Sequence, residues 1–351
     1  MNVSNQTHDS DAMEDLDEGK GELLAWHDPD EERRWVRDHK SRTLTDKRMS
    51  LKEAVSQFTK DGDYLALGGF GHVRAPMAAV YELIRQKRRN LTVAANPGVH
   101  DTDLLIAGSC VCKVEVAYAF GHELRGLSPC SRRAVEAGRV KVAAEISNAA
   151  LQWRFRAAAM GLPFLPTRVM LGSDTFRYSS AKAVKDPYSG KPLCLVPACY
   201  PDVAVIHVHR CDKYGDCQID GVTMKDTDLA RAARRLIVTT EKVVDEEKLR
   251  ERPWDTVIPF YAVDAVVEVP YGGHPGNMPY LYYSDEEHIA EWLRMSETPE
   301  GVDQYLEKYV YGVTEFEEYL KLTGGKDKLD LLTRQEFLRA PLKVPWAEEA
   351  S

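Results

Sequence analysis

The sequence predicts an α/β fold: an open, largely parallel sheet with helices on both faces, followed by a helical C-terminal segment. Three observations carry this expectation. Short apolar runs alternate with segments of helical periodicity from Ser50 to Leu322, the pattern of strands joined through crossover helices. The run 64–67 (Tyr-Leu-Ala-Leu) is apolar throughout, as a strand covered on both faces must be. That run ends in Gly68-Gly69-Phe70-Gly71 and passes directly into a helix, and in open α/β sheets ligands sit at such carboxyl ends.

The elements follow in order. Ser50 is placed to cap a helix opening at Leu51, and Asp61-Gly62-Asp63 stops it. After the 64–67 strand, Pro76 falls in the first turn of a helix, where a missing N–H is harmless. Met77, Val80 and Ile84 then recur on one face. Residues 91–95 read as strand and 101–107 as a short helix. Residues 111–120 read as strand, 131–137 as helix and 140–146 as strand. The helix 147–160 is closed by Gly161-Leu162-Pro163. A loop rich in Pro, Ser and Gly follows, then strand 203–208, helix 226–235, and strands 236–240 and 262–269. Residues 285–322 are mainly helical.

Composition bounds the function. The 351 residues allow two domains or one large one. No linker divides residues 50–325, so 49–325 is taken as one domain, with 326–351 as a tail. Residues 1–48 are expected to be an acidic, mostly disordered extension with weak docking after Gly21, and Glu31 to Trp35 as a short amphipathic helix. Net charge is −9, and six acids before Gly19 account for most of it. That balance argues against a nucleic-acid footprint. No apolar run approaches membrane-helix length, and no secretory leader is evident. Seven cysteines without dense spacing fit reduced thiols in a cytoplasmic protein.

The most informative motif is Asp61-Gly-Asp-Tyr-Leu-Ala-Leu-Gly-Gly-Phe-Gly-His-Val-Arg-Ala-Pro76. Glycines let backbone N–H groups approach a ligand, and a helix N-terminus favours negative charge. A tight turn without a ligand is the competing reading. The motif is not a dinucleotide fingerprint, and no Gly-Lys-Ser/Thr follows to make a P-loop.

This segment resembles the α (A) subunits of family I CoA-transferases, whose Asp-Gly pair, strand, Gly-Gly-Phe and Pro are matched by Asp61, Gly62, 65–67, Gly68-Gly69-Phe70 and Pro76. Arg74 stands where the 3-oxoacid branch usually has Gly and is similar to the glutaconate CoA-transferase branch. Ser131-Arg132-Arg133, 157–166, 202–207, 263–267 and 270–275 agree with that branch, so the resemblance spans residues 49–325. It implies a β (B) partner that supplies a nucleophilic glutamate in trans, an αβ or α2β2 assembly, acyl-CoA and carboxylate substrates, and coenzyme A as substrate with no other cofactor. Two alternatives share every motif. One is the α subunit of an acyl-CoA hydrolase of the ring-cleaving 3-oxoacyl type, with water as acceptor. The other is a non-catalytic CoA-ester-binding subunit.

Candidate site residues follow from the turn and from this resemblance. Gly68, Gly69, Phe70 and Gly71 are expected to offer backbone donors, with Arg74 beside them. Asn96 follows the second strand and is a candidate for the same crevice, against a turn role before Pro97. His122 and Glu123 follow the strand expected to end at Phe120. His122 takes the place of a small polar substrate contact in the glutaconate-like branch, and Glu123 offers a general base, against an exposed polar loop. Glu145 ends a strand and is matched with an acid in the corresponding chain of ring-cleaving hydrolases, against a helix-capping role before Ser147. His274 is expected to be structural, and Arg132 and Arg133 either hold an acid group or line a solvated helix face. The set His207, His209, Cys211 and Cys217 invites a zinc reading. The turn at 214–216 argues against it, so no metal is expected, and Cys130 lacks an activating histidine.

Overall fold

The computed structural model describes residues 14–122 and 125–337. Thirteen strands are found among them: β1 (Asp15–Glu18), β2 (Tyr64–Leu67), β3 (Leu91–Ala95), β4 (Val111–Val116), β5 (Lys141–Glu145), β6 (Phe164–Thr167), β7 (Lys182–Lys185), β8 (Pro192–Pro197), β9 (Val203–Cys211), β10 (Cys217–Gln218), β11 (Arg235–Val243), β12 (Thr256–Ile258) and β13 (Ala265–Glu268). The helices are α1 (Pro29–His39), α2 (Leu51–Phe58), α3 (Met77–Arg85), α4 (His100–Ala107), α5 (Pro129–Glu136), α6 (Asn148–Met160), α7 (Asp174–Arg177), α8 (Asp226–Ala232), α9 (Glu246–Arg250), α10 (Glu286–Met295), α11 (Pro299–Leu306), α12 (Phe316–Leu322) and α13 (Gly325–Phe337).

Seven strands form the parallel sheet, in the spatial order β13-β11-β9-β2-β3-β4-β5. The short β10 and β12 extend it in antiparallel fashion beside the end of β9. The chain builds outward from β2 through β5, then returns to β9 on the other side of β2 and builds outward again. Strand order therefore reverses between β2 and β9, and in open α/β sheets ligands bind outside the carboxyl ends of the strands at such a reversal. The glycine turn after β2 stands at this switch point.

Side-chain alternation fixes the two layers. Leu65 and Leu67 of β2 and Val203 and Val205 of β9 face one hydrophobic layer with α2, α3, α4 and the C-terminal helices. Tyr64, Ala66, Ala204 and Ile206 face the other, with α6, α8 and the small sheet. Both faces of one strand are thus apolar, as the 64–67 run predicts. Leu65 is fully buried, and its truncation to alanine is worth about 2–5 kcal/mol. The helix boundaries are chemical. Ser50 and Glu53 form a reciprocal capping box at α2, and Gly161 closes α6 in the left-handed region at φ 68°.

Four features differ from expectation. Residues 164–197, read as a loop, contribute three strands of an antiparallel sheet ordered β1-β7-β8-β6. Its fourth strand, β1, comes from the acidic extension and pairs with β7. Residues 14–48 are therefore tied down: Tyr200 N–H donates to Ala25 O at 2.7 Å, and Arg234 pairs with the Glu32 carboxylate at 2.8 Å. The expected 31–35 helix is α1, capped by Asp28. Strand β4 ends at Val116, although the chain keeps pairing with the segment after β3: Ala117 N–H donates to Ala95 O at 3.1 Å and Phe120 N–H to Gly98 O at 2.9 Å. Residues 326–337, expected as tail, continue helix α13.

Candidate active-site crevice

The glycine turn is held from below and behind. Gly68 N–H donates to Val205 O at 2.8 Å, and Phe70 N–H donates to Val73 O at 2.9 Å. Gly69 N–H donates to Asp226 Oδ1 at 2.8 Å. The expectation of ligand-binding donors at Gly68, Gly69 and Phe70 is corrected here: those three N–H groups are committed within the chain. Gly71, buried and at φ 62°, has no such partner for its N–H among the described residues. Gly69 lies at φ 72°, and a Cβ there would sit 2.3 Å from Val73 O, so only glycine fits.

Two charged groups that sequence reading passed over brace this turn. Asp226, the first residue of α8, forms a fully buried ion pair with Arg74. Arg74 also donates to Val222 O at 3.0 Å. Arg74, expected among the substrate-binding residues beside the turn, is thus a positioning residue with no solvent exposure. Lys225 Nζ donates to Gly69 O and to Asn96 O, both at 2.6 Å. Burial pulls this ammonium down to about 8, against the attraction of Asp226 and Asp101. The Asn96 side chain donates to Asn148 O at 2.9 Å, so it joins the end of β3 to the start of α6.

Above the turn lie three imidazoles. His72 follows β2, His100 opens α4 after β3, and His122 follows β4. Their ring centroids are 5.4 Å apart for His72 and His122, 5.9 Å for His100 and His122, and 6.3 Å for His72 and His100. All three are buried. Among the described residues, neither ring nitrogen of His100 or His122 has a hydrogen-bond partner, nor does Nε2 of His72. Burial lowers His72 to about 3, with His122 and Arg125 adding to the effect. Burial, with the neighbouring histidines, also drives His100 well below its ordinary value. Asp103 closes the back wall. It accepts from Ser131 Oγ at 2.6 Å and Trp292 Nε1 at 2.7 Å, and also from Ser128. Its Oδ2 lies 3.6 Å from His122 Nε2. Burial pushes Asp103 upward, but His122 and the two serine hydroxyls hold it below the ordinary carboxylate value.

The remaining candidates are placed as follows. Glu145 is exposed at the carboxyl end of β5, the edge strand, and its N–H donates to Tyr178 O at 2.9 Å. It is three strands from the glycine turn, or about 14 Å at ordinary strand spacing. Glu123 lies outside the described residues. Arg132 pairs on the surface with Glu136, while Arg133 caps α10 through Ser296 O and Glu297 O at 2.7 and 2.8 Å. His274 is structural, bonded to Tyr319 at 2.8 Å and to Asp285 at 3.2 Å. His207 binds Thr239 and Glu241, and His209 binds Pro279 O. Cys211 and Cys217 face each other across β9 and β10. The described residues contain no group of three or more His, Cys, Asp or Glu arranged to hold a metal ion. Burial raises the Cys130 thiol to about 12, which rules out a ready thiolate.

Comparisons with known proteins agree with this geometry. Residues 48–269 match the family model described as coenzyme A transferase. An uncharacterized protein of Archaeoglobus fulgidus is 62% identical over 95% of this chain and 75% of its own length. The chain is 32% identical to the α-type chain of glutaconate CoA-transferase from Acidaminococcus fermentans, over 81% of this chain and 93% of that one. It is also 32% identical to the IpdA subunit of a cholesterol ring-cleaving hydrolase from Rhodococcus jostii, over 76% and 93%. The crystal structure of the Acidaminococcus glutaconate CoA-transferase superposes with a TM-score of 0.77 over 82% of this chain and 95% of that chain. A variant of the decarboxylase AibA/AibB superposes at 0.66, with 34% identity over 76% of this chain and all of that one.

Proposed function

The chain belongs to the coenzyme A transferase family, and on that premise we propose that it is the α subunit of a two-subunit enzyme moving CoA between an acyl-CoA and a carboxylic acid. A glutamate of a β partner is the nucleophile in this reading. Its carboxylate attacks the thioester carbonyl, giving an acyl-glutamyl anhydride and CoA thiolate. The thiolate returns to the glutamyl carbonyl, forming glutamyl-CoA and releasing the acyl group as its acid. An acceptor carboxylate then attacks glutamyl-CoA, and the thiolate finally collects the acceptor's acyl carbon, restoring the glutamate. A carboxylate suits this because its anhydride is as activated as the thioester it replaces.

The observation that carries the reading is the braced glycine turn at the sheet's switch point, inside the family-matched segment. Among the described residues, three carboxylates around it are engaged. Asp226 holds Arg74 and Gly69, Asp101 accepts the Val99 and Thr102 N–H groups at 3.0 and 2.7 Å, and Asp103 holds two serines and Trp292. None of these three is free to act as a nucleophile, which favours one supplied by a partner. The α chain's part is to position the acid substrate and to give donors such as the Gly71 N–H to developing oxyanions.

The test is co-expression with a β-type partner. A stable αβ complex should transfer CoA, and borohydride or hydroxylamine should trap a glutamyl thioester during turnover. The α chain alone should be inactive. Activity in the isolated chain would overturn the reading. A hydrolase is the second reading, favoured by the exposed Glu145 carboxyl at the carboxyl end of β5. CoA release without any trapped adduct would support it.

A further inference from the structure

We propose that the groove between α1 and the C-terminal ends of α6 and α8 binds a diphosphate group, free or on a nucleoside. This site stands apart from the crevice and does not depend on the transferase reading.

The groove lies at the far ends of the two helices that start beside the glycine turn. Helix α6 starts at Asn148, whose carbonyl accepts from the Asn96 side chain, and runs 13 residues to Met160, a span of about 18 Å. Helix α8 starts at Asp226, which holds the turn, and ends at Ala232. There both helices meet α1 around a space of about 510 Å³, within the ~300–1,000 Å³ usual for small-molecule sites. Helix α1 precedes the family-matched segment, so one wall of the groove lies outside that match.

Five arginines line it: Arg33, Arg34 and Arg37 of α1, Arg42 shortly after, and Arg231 of α8. The acid in the lining, Glu32, is already held by Arg234 at 2.8 Å. Arg33 and Arg37 pair with exposed neighbours, Asp30 at 3.1 Å and Asp38 at 2.8 Å, contacts worth little in water. Arg34 and Arg42 have no ion pair among the described residues. The carbonyl ends of α6 and α8 attract cations too, at about half a charge each, which leaves most of the positive charge unanswered.

Tyr200 supplies the second, independent observation. It lines the same groove, is 3% exposed, and its hydroxyl has no partner among the described residues. Burial pushes this phenol up to about 12, with Glu32 and Asp28 adding to the effect and Arg33 opposing it, so it remains a donor at neutral pH. A buried polar atom without a partner calls for one. Guanidinium groups donate and cannot accept, so the missing partner is an anion rich in acceptor oxygens. Arginine forks match phosphate oxygens two at a time. Arg33 and Arg37 stand one helical turn apart, with Arg231 on the other wall, a spread that suits two joined phosphates better than one.

The test is calorimetric titration of the full chain with pyrophosphate, ADP and AMP at about 0.15 M ionic strength, where loose surface attraction is screened. Pyrophosphate and ADP should bind at one site per chain, and AMP at least about tenfold more weakly. No binding, or equal binding of ADP and AMP, would overturn the proposal. Arg34→Gln and Arg42→Gln change exposed side chains and should leave the fold intact. Each should weaken pyrophosphate about tenfold, which places the ligand here and not at the crevice; unchanged affinity in both would overturn the site. Tyr200→Phe should also weaken pyrophosphate about tenfold, with no fall in the urea midpoint, since no bond within the chain is lost. Unchanged affinity would reduce the groove to general charge attraction, and a lower midpoint would reveal an internal partner for the hydroxyl; either result overturns the proposal. A ligand held between both walls should slow amide exchange across residues 29–39, and unmoved exchange at saturation would count against it in the same way. No readout needs CoA transfer, so failure of the transferase reading would show separately, as a missing glutamyl adduct.

Discussion

The Lys225 ammonium donates a 2.6 Å hydrogen bond to the carbonyl oxygen of Gly69 and a second, of equal length, to that of Asn96. One buried cation thus ties the ends of β2 and β3 together beneath the crevice. The neighbouring Asp226 holds the Gly69 N–H from the same helix entry. Both polar groups of the Gly69 backbone are therefore gripped by side chains more than 150 residues away in sequence.

Replacing this ammonium should loosen the turn before it unfolds the protein. In Lys225→Met two buried carbonyls lose their donor, a loss worth about 1–3 kcal/mol each. The methionine avoids the cost of burying a charge, which offsets part of it. The expected outcome is a modest loss in urea stability, about 1–3 kcal/mol. Amide exchange at Gly69 and Gly71 should accelerate far more than exchange in β9. Uniform acceleration across the sheet would show that Lys225 supports the whole fold and not the turn.

The strain at Gly69 separates from ordinary glycine strain by comparison. Gly62 at φ 86° has nothing within 4 Å of an added Cβ, whereas at Gly69 the Val73 carbonyl would lie at 2.3 Å. Gly62→Ala should cost about 1–2 kcal/mol, the price of a left-handed alanine. Gly69→Ala should cost clearly more in chemical denaturation and should abolish CoA transfer by the complex. Equal costs for the two substitutions would mean that the turn relaxes freely.

Arg74 and Asp226 make a pair with no solvent contact. Removing one partner leaves a charge stranded, so Arg74→Met or Asp226→Leu alone should cost about 3–5 kcal/mol. The double variant should recover much of that loss, because an apolar pair of similar volume is tolerated where a lone charge is not. Recovery will be incomplete, since Asp226 also serves the Gly69 N–H. A double-mutant cycle by urea denaturation measures the coupling. Simple additivity would contradict the buried pair.

Acid stability should depend on the buried histidines His72 and His100. Burial holds His72 near 3, while its ordinary value is 6.5. Between those values the unfolded chain binds more protons than the folded one, so stability rises with pH there. The full contribution is present above about 6.5 and is lost as pH falls toward 3. One such group contributes up to about 1.4 kcal/mol per pH unit. His100 and His288 are lowered for the same reason, first by burial. His72→Asn removes one of these groups at the rim. The slope of unfolding free energy against pH, measured from pH 4.5 to 6.5, should fall by about one proton's worth. An unchanged slope would mean that the His72 ring already reaches water.

The parallel half of this fold was legible because its strands are bounded by unambiguous chemistry, as Asp61-Gly62-Asp63 and Gly68-Gly69 bound β2. The small antiparallel sheet was not. Pro166, Pro192 and Pro197 fall inside or at the ends of β6 and β8, and β1 consists only of Asp, Leu and Glu, residues that read as loop or disorder. At the site, the turn was visible but its braces were not. Arg74 beside a glycine-rich turn reads as a substrate-binding residue until Asp226, 152 residues on, is seen to neutralise it. The histidines carried a faint signal, each standing a few residues beyond a strand end, but only the β2-β3-β4 order brings them together.

A Glu145 variant tests whether the acceptor is an acid or water. Its side chain is exposed at the end of the edge strand β5, and its N–H bond to Tyr178 O does not involve the carboxyl. Glu145→Gln should therefore leave stability within about 0.5 kcal/mol. If the partner's glutamate is the nucleophile and an acid is the acceptor, the variant complex should keep its transfer rate within about threefold and still yield a trapped glutamyl thioester. A general base that activates water contributes about 10²–10⁴-fold. Loss of CoA release on that scale, in a complex that folds normally, would assign Glu145 to hydrolysis. Measuring CoA release with and without added carboxylate acceptor, in both native and variant complexes, separates the two chemistries. Acceptor-independent release in the native complex that vanishes in Glu145→Gln would retire the transferase reading.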